Sequence, residues 1–404
     1  MSLTAATKLS RGLIILLGAA VGIIAANLYY AQPLAAPISK SLGLDPAAAG
    51  LTVMLTQAGY GLGVLLLVPL ADLVDNRKLI LSMLALAVMG LLGIALSTAL
   101  IPYFAAAFGL GLGASTVQVI VPYAAHFTPV ASRGRVVGNL LSGLMLGIML
   151  SRPIASFMTD FFSWHAVFYF SAGIMTVLGV ALFLSLPSRV PANTGLRYPT
   201  LLASMVQLYL RVPVLRRRAI YQAFIFGAFC LFWTASPLLL ASPAFNMSQS
   251  EIAMFALAGV AGTIAAPFAG RMADKGLSRI GTTVSLSIGA ISFLLPHIFV
   301  MGTKASLATL VIGAIFLDAG VTANLVFGQR AIFSLRARYR SRLNGLYIAT
   351  TFIGGAFGST VGAWAYSRGG WNLTSWIGFA MPTAALAYFG TEWLTGFQNQ
   401  KRNR

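Results

Sequence analysis

Long apolar stretches recur along the whole chain and alternate with short loops that contain Arg, Lys, Pro or Asp. A helix needs about 20 mostly apolar residues to cross a bilayer. Runs such as 81–96 are apolar on every face, which predicts helices rather than the alternating strands of a membrane barrel. We predict an all-α membrane protein with twelve spans at 12–31, 48–71, 79–98, 102–125, 136–158, 165–186, 219–241, 251–270, 280–300, 305–328, 343–366 and 373–394.

The composition excludes several other classes of protein. Hydrophobic residues make up 58% of the 404 residues and charged residues only 9%, whereas about 25% of a soluble domain is charged. The single cysteine, Cys230, excludes an internal disulfide framework and a multi-cysteine metal site, and three histidines argue against a histidine-rich one. We therefore expect no metal and no cofactor.

The distribution of positive charge predicts the orientation in the membrane. The chain has 27 Lys and Arg against 8 Asp and Glu, a net charge of +19. If the N-terminus with Lys8 lies inside, nearly all of these cations fall in cytoplasmic loops, as the positive-inside rule requires. We expect both termini in the cytoplasm, an inner (cytoplasmic) membrane location and contact with anionic lipid headgroups. The basic loops lack the interleaved aromatic residues of a nucleic-acid surface, so no nucleic-acid partner is expected.

The chain divides into two similar halves. Six predicted spans precede a polar segment at 187–218 and six follow it, which predicts bundles at 1–186 and 219–404 joined by a cytoplasmic linker. The loop after span 2 reads VPLADLVDNRK, and the loop after span 8 reads AGRMADKGLSR. Each loop places an Asp (Asp72 or Asp274) before a basic cluster, about half the chain apart, which indicates an internal repeat.

These loops resemble the pattern G-x-L-x-D-R-x-G-R-R of the major facilitator superfamily. The stretches 27–34, 55–73 and 341–359 are similar to its bacterial drug/proton-antiporter-like members, which are predicted efflux permeases. In the first loop, Val68, Leu73 and Asn76 depart from the family pattern. The resemblance implies two pseudo-symmetric bundles of six helices that work by alternating access, and we expect a monomer.

The resemblance also implies a conformational latch. Asp72 would lie near the N-terminus of span 11, around 343–346, and Asp274 near the start of span 5. A carboxylate at a helix N-terminus is stabilised by ~0.3–1 kcal/mol, and this contact would form only when the halves meet on the cytoplasmic side. The alternative is a simple topogenic charge cluster. The residues assigned to the latch are Asp72, Arg77, Lys78, Asp274 and Lys275.

Asp318 is the one acidic residue placed near the middle of a predicted span, span 10. Desolvation disfavours an ionised carboxylate, so a buried Asp can bind and release a proton during a transport cycle. In the family that the chain resembles, spans 1, 4, 7 and 10 line the central cavity. The alternative is a structural carboxylate that pairs with Arg152 or is capped by a hydroxyl such as that of Thr322.

Arg152 lies within span 5, directly before Pro153. Arginine stays protonated in proteins, so it would act by pairing with Asp318 or by binding an anionic substrate. We hypothesise that Asp318 alternates between Arg152 and a proton. The alternative is an arginine that extends to the outer membrane interface.

Uncharged polar residues outline a substrate cavity that is mostly apolar, as is typical of sites for amphiphilic small molecules. Each of these residues could instead form a hydrogen bond between helices. The candidates are Asn27, Tyr30, Gln57, Tyr60, Gln118, Trp233 and Asn324.

The function predicted from the sequence is secondary active transport of a small organic solute, with proton-coupled efflux (antiport) as the first form. The alternatives are uptake of an anionic or sugar-like solute and a membrane sensor or assembly protein that does not transport. The sequence contains no H-E-x-x-H, P-loop or G-x-S-x-G motif, so an enzyme is not expected.

Overall fold

The computed structural model describes residues 10–191, 197–262, 264–335 and 339–402, and this part of the chain contains helices and no strands. Lys8 and residues 192–196 of the predicted linker lie outside the described residues. The helices are α1 (Arg11–Ala26), α2 (Ala35–Ser41), α3 (Leu51–Leu66), α4 (Asn76–Leu96), α5 (Leu100–Ala114), α6 (Val117–His126), α7 (Val130–Phe161), α8 (Trp164–Ser185), α9 (Tyr198–Arg211), α10 (Pro213–Leu240), α11 (Gln249–Ala256), α12 (Ala258–Gly262), α13 (Ala265–Asp274), α14 (Ser278–Ile291), α15 (Lys304–Phe333) and α16 (Arg340–Arg402).

Several helices begin at a polar side chain that accepts a hydrogen bond from a free backbone N–H group. Ser10 caps α1, Asp75 caps α4 and Thr303 caps α15. Ser248 and Glu251 form a reciprocal capping box at the start of α11. Such caps define where an apolar helix begins, because the first turn has no intrahelical acceptors for its N–H groups.

Nine helical segments of the described chain are long and apolar enough to cross a membrane. Each of the twelve predicted spans overlaps helical structure, but exactly twelve crossings are not confirmed. Two predicted spans contain helices shorter than predicted. In the first, the helix ends at Ala26 and the following residues form turns. In the ninth, the helix ends at Ile291 and is followed by the 3-10 turn at Leu295–Ile298. The last two predicted spans are two helices that meet at a kink at Gly369 and Gly370, where Gly370 has a φ of 57°, and α16 denotes both of them.

The predicted linker region contains the helix α9. The Tyr198 hydroxyl donates to the Leu66 carbonyl at 2.7 Å, and Arg342 Nη1 donates to Ser204 Oγ at 3.1 Å, so α9 contacts both α3 and α16. The following helix begins at Pro213 rather than at 219, which places Arg216, Arg217 and Arg218 on helix α10 rather than in a loop.

Small residues allow several helices to pack backbone against backbone. Gly22 of α1 lies against Gly143 and Gly147 of α7, where an added Cβ atom would overlap the main chain. Gly143 and Gly147 are four residues apart, a spacing of small residues that lets two helices approach closely. Gly354 and Gly358 of α16 make similar contacts with α10.

The molecule has one end rich in arginine, which we call the basic end, and an opposite end. The main contacts between helices that precede α9 and helices that follow it are α3 with α16 and α7 with α11. At the opposite end Gly50 packs on the backbone of Ser359, and Ser250 donates a hydrogen bond to Asp160. At the basic end a cavity of about 600 Å³ lies between α3, α6, α7 and α16.

Candidate functional site

A small cavity of about 140 Å³ lies in the interior, between α3, α7, α10, α15 and α16. Aromatic rings form much of its wall, contributed by Tyr29, Tyr60, Phe226, Phe229 and Phe352. The charged and polar side chains that line it are Gln118, Arg152, Gln222, Asp318, Thr322 and Thr351. The two charges predicted within the spans therefore both face this central cavity.

Asp318 is 6% exposed and lies on α15. Its Oδ1 accepts a hydrogen bond from the indole N–H of Trp233 at 2.9 Å. Gly259 and Gly262 of the α11–α12 region pack against it, and a Cβ atom at Gly259 would lie 2.6 Å from Asp318 Oδ2. The carboxylate therefore accepts a hydrogen bond from one side chain, and two glycines without side chains pack closely against it.

Arg152 is 3% exposed and lies on α7. Its Nε donates to Gln32 Oε1 at 2.8 Å. The guanidinium carbon is 4.4 Å from the ring centroid of Trp233, 4.9 Å from that of Phe229 and 5.2 Å from that of Tyr29. These contacts retain Arg152 inside the protein, so it does not extend to the outer interface. Its Nη2 has no hydrogen-bond partner among the described protein atoms.

Trp233 lies between the two charges. It donates to Asp318 through its N–H group and receives the Arg152 guanidinium on its ring face. In the described residues, ion pairs join Arg218 to Glu392 at 3.7 Å and Arg330 to Asp274 at 2.9 Å, and none joins Arg152 to Asp318. The direct pair that the sequence suggested is thus replaced in this conformation by a bridge through an aromatic residue.

Of the other predicted cavity residues, two line the cavity and four do not. Tyr60 and Gln118 line the cavity, and Gln118 Nε2 donates to the Tyr60 hydroxyl at 3.0 Å. Asn324 lies behind the wall, where its Nδ2 donates to Gln222 Oε1 at 2.7 Å. Gln57 Nε2 donates to Cys230 Sγ at 3.3 Å and also lies behind the wall.

Asn27 and Tyr30 lie away from the cavity lining. Asn27 Oδ1 accepts a hydrogen bond from Ser171 Oγ at 2.5 Å, which joins the end of α1 to α8. Tyr30 packs its ring edge-on against Phe168, with the centroids 6.5 Å apart. In this conformation both side chains connect helices.

Sequence reasoning did not select Gln222 and Thr351 as cavity residues, although both line the cavity. A signal was present for Thr351, which is two helical turns after the polar Asn344 and so shares its face of α16. Gln222 follows Arg218 by one turn of α10, and its polarity marks the same inward face. Tyr29 and Tyr30 are adjacent in the polar cluster at the end of span 1, and only the structure shows that Tyr29 is the one that lines the cavity.

The larger cavity at the basic end leads toward the central one, and Gln118 lines both. One carboxylate, Asp72, and one imidazole, His126, contribute to its wall. Four arginines also line it, namely Arg133, Arg189, Arg340 and Arg342. We call this cavity the basic vestibule.

The residues assigned to the latch lie around this end of the molecule. Asp72 is exposed and faces the start of α16 across the vestibule, whose wall includes Gly345. Arg77 Nη2 donates to the carbonyl of Phe183, while Lys78 is exposed. In the second loop, Asp274 pairs with Arg330 of α15, and Lys275 is exposed.

Asp75, in the same loop as Asp72, has a structural role. It accepts hydrogen bonds from the Arg77 backbone N–H at 2.9 Å, from Ser188 Oγ at 2.8 Å and from the Arg189 backbone N–H at 3.3 Å. Desolvation raises the pKa of Asp75, but these hydrogen bonds lower it by more, so the net pKa lies below its usual value. Asp75 thus joins the start of α4 to the segment after α8.

Comparison with known proteins places this architecture in a family. The model of the Major Facilitator Superfamily matches residues 15–303 and 219–397. The uncharacterized transporter YgaY of Escherichia coli O157:H7 is 36% identical over 395 residues, which cover 98% of each chain. The inner membrane transport protein YnfM of Escherichia coli K12 is 26% identical over 355 residues, 86% of this chain and 82% of that protein.

The fold also matches that of solved transporters. The crystal structure of the nucleoside transporter NupG superposes with a TM-score of 0.72 over 93% of this chain and 100% of that chain. The sequence identity is 13%, so this likeness concerns the fold alone.

Proposed function

Because this chain belongs to the major facilitator superfamily and is a multi-pass membrane transporter, we propose that it moves a small organic solute by alternating access coupled to protons through Asp318. The observation that carries this proposal is the position of Asp318, which is 6% exposed in the wall of the central cavity. A carboxylate in such a place is costly when ionised, so its protonation changes the free energy of each conformation.

Alternating access would proceed by rocking of two bundles, 1–186 and 219–404, about the central cavity, with 187–218 as the linker. In the structure the two halves are in contact at the opposite end, and the basic vestibule is open. This arrangement is what we expect of one end state of the cycle. In the other end state Asp72 would reach the N-terminus of α16 and latch the basic end. We place this end and both termini in the cytoplasm, in an inner membrane whose anionic headgroups contact the basic loops, with the protein acting as a monomer.

Efflux by proton antiport is the first form of the proposal. Protons would bind Asp318 from the outside and leave to the cytoplasm, and the solute would use the same cavity in the opposite direction. This form follows the resemblance of the chain to bacterial drug/proton antiporters.

Uptake of an anionic solute is the second form, and one observation favours it. Arg152 places a permanent positive charge in the cavity wall, and its Nη2 is not used by the described protein atoms. An anion bound there would favour the protonated, neutral form of Asp318, so the solute and the proton would move together.

The test is transport by the purified protein in proteoliposomes with an imposed pH gradient and a panel of solutes. We expect gradient-driven movement of at least one solute, and loss of that coupling in Asp318→Asn. The matched control is Asp45→Asn, because Asp45 is a loop carboxylate that caps a 3-10 turn and an asparagine there can accept the same hydrogen bond. Equal movement with and without the gradient, unchanged in Asp318→Asn, would contradict the proposal.

A further inference from the structure

We propose that the central cavity binds a small organic carboxylate with an apolar body about the size of one aromatic ring, and that Arg152 Nη2 binds its carboxylate. This inference rests on the proposed function in that it takes the central cavity as the transport site. It goes further than an anionic solute by specifying a carboxylate and the size and apolar nature of the rest of the molecule, and three independent features of the described residues support it.

The first feature is the incomplete set of hydrogen bonds of Arg152. Its Nε is occupied by Gln32, and aromatic rings lie against its guanidinium. Cation–π contacts do not satisfy the N–H groups, which lie in the guanidinium plane. A buried N–H group without an acceptor is costly, and a carboxylate is the acceptor whose planar geometry fits a guanidinium best.

The second feature is the size and composition of the cavity. Its volume of about 140 Å³ is close to that of an engineered protein cavity of ~150 Å³ that holds benzene. Phe226, Phe229 and Phe352 form one part of its wall, and the ring centroids of Phe226 and Phe352 are 5.2 Å apart. These rings suit the flat apolar body of an aromatic acid, while a large drug-like molecule would exceed the space.

The third feature is the charge of the route from the basic end. The four arginines of the basic vestibule donate to uncharged oxygens: Arg133 to the Thr128 carbonyl, Arg189 to Asn76 Oδ1, Arg340 to the Phe333 carbonyl and Arg342 to Ser204 Oγ. The wall therefore holds four arginines against one carboxylate, that of Asp72, and a cleft with a net positive charge concentrates anions. The vestibule therefore favours anions over cations before they reach Arg152.

The surroundings of Asp318 agree with this class of solute. The charged and titratable groups around it in the cavity region come from four helices. They are Arg152 of α7, Tyr29 at the end of α1, Tyr60 of α3 and Cys230 of α10. Arg152 is the one cation of this set. A bound carboxylate and an ionised Asp318 would give two negative charges beside that one cation, whereas a protonated Asp318 leaves the site neutral.

The experiment compares three ligands of similar shape and different charge: benzoate, neutral benzamide and cationic benzylamine. Binding to the full-length purified protein is measured by calorimetry in detergent. We expect benzoate to bind, and benzamide and benzylamine to bind at least about tenfold more weakly, because a hydrogen bond to a charged group is lost. Arg152→Gln should weaken benzoate binding at least about tenfold, and the exposed control Arg279→Gln should leave it unchanged.

Benzoate binding that is absent, no tighter than benzamide binding, or unaffected by Arg152→Gln would overturn the inference. If Arg152→Gln does not fold, the ligand comparison on the unmodified protein decides. The proposed function fails separately: benzoate would then bind with this charge selectivity, but no solute would respond to a pH gradient in proteoliposomes. Gradient-driven transport of solutes regardless of their charge, with no effect of Arg152→Gln, would instead overturn the inference alone.

Discussion

Trp233 donates its indole N–H group to Asp318 at 2.9 Å, and the ring of the same residue lies 4.4 Å from the guanidinium carbon of Arg152. One aromatic side chain thereby contacts both charges of the central cavity through different parts of its structure. Direct ion pairing would neutralise both groups and leave neither available to a proton or an anion. The tryptophan stabilises each charge while keeping them apart.

Replacing Trp233 by Phe should separate these two roles. Phenylalanine keeps an aromatic ring for Arg152 but cannot donate a hydrogen bond to Asp318. Loss of a hydrogen bond to a charged group is worth ~1.5–3 kcal/mol, so we expect gradient-driven transport to fall about tenfold or more. Trp376→Phe is the matched control, since Trp376 is 55% exposed on α16. Equal transport by the two variants would contradict a role for the indole N–H.

The glycine surface against Asp318 should be intolerant of a single methyl group. In Gly259→Ala the new Cβ would lie 2.6 Å from Asp318 Oδ2, so the carboxylate or the helix must move. We expect the rate of coupled transport to fall by a factor of about ten or more, with little change in the yield of folded protein. Gly173→Ala is the control, because no atom lies within 4 Å of the added Cβ on α8. Transport rates and size-exclusion profiles of both variants provide the check.

The proposed latch at Asp72 should affect the turnover rate of transport rather than the affinity for solute. Asp72 faces the start of α16 across the open vestibule and forms no hydrogen bond or ion pair with the described part of that helix in this conformation. Asp72→Asn should slow turnover about two- to fivefold, the value of a carboxylate at a helix N-terminus, without changing solute affinity from the basic end. A variant with weakened affinity and normal turnover would show that Asp72 acts on the solute instead.

Asp75 should make the stability of the folded protein depend on pH. Its pKa in the folded protein lies below the usual ~3.9, so the ionised carboxylate stabilises the fold. This contribution is complete above about pH 4 and is lost as the pH falls through the lowered value. The unfolding temperature of Asp75→Asn should therefore lie below that of the unmodified protein at pH 7, and the difference should shrink below about pH 4. A difference that grows in acid would contradict this account.

The helical architecture was predictable because each apolar stretch has the length that a bilayer requires. The interior position of Arg152 and Asp318 was also predictable. A charged side chain within an apolar span is costly in contact with lipid, so it usually faces the inside of the bundle. The shortened helices were not predicted: hydropathy counts apolar residues and does not register the turns after Ala26 and Ile291.

Side-chain pairing in the cavity lay beyond the sequence for a different reason. Trp233 was selected as a cavity residue, but its position between Arg152 and Asp318 depends on how α7, α10 and α15 pack. The same packing directs Asn27 toward Ser171 and Tyr30 toward Phe168, away from the cavity. Spacing along one helix identifies a shared face, whereas partners on other helices are fixed only by the assembled bundle.

Proton movement coupled to solute movement is the central claim of this account, and proteoliposomes that contain an internal pH indicator test it most directly. Adding a transported solute to one side, with no imposed gradient, should change the internal pH in liposomes containing the unmodified protein or Asp45→Asn. The direction of that change distinguishes efflux antiport from joint uptake. In Asp318→Asn the addition of solute should leave the internal pH unchanged, whereas a normal pH change in Asp318→Asn would contradict the claim.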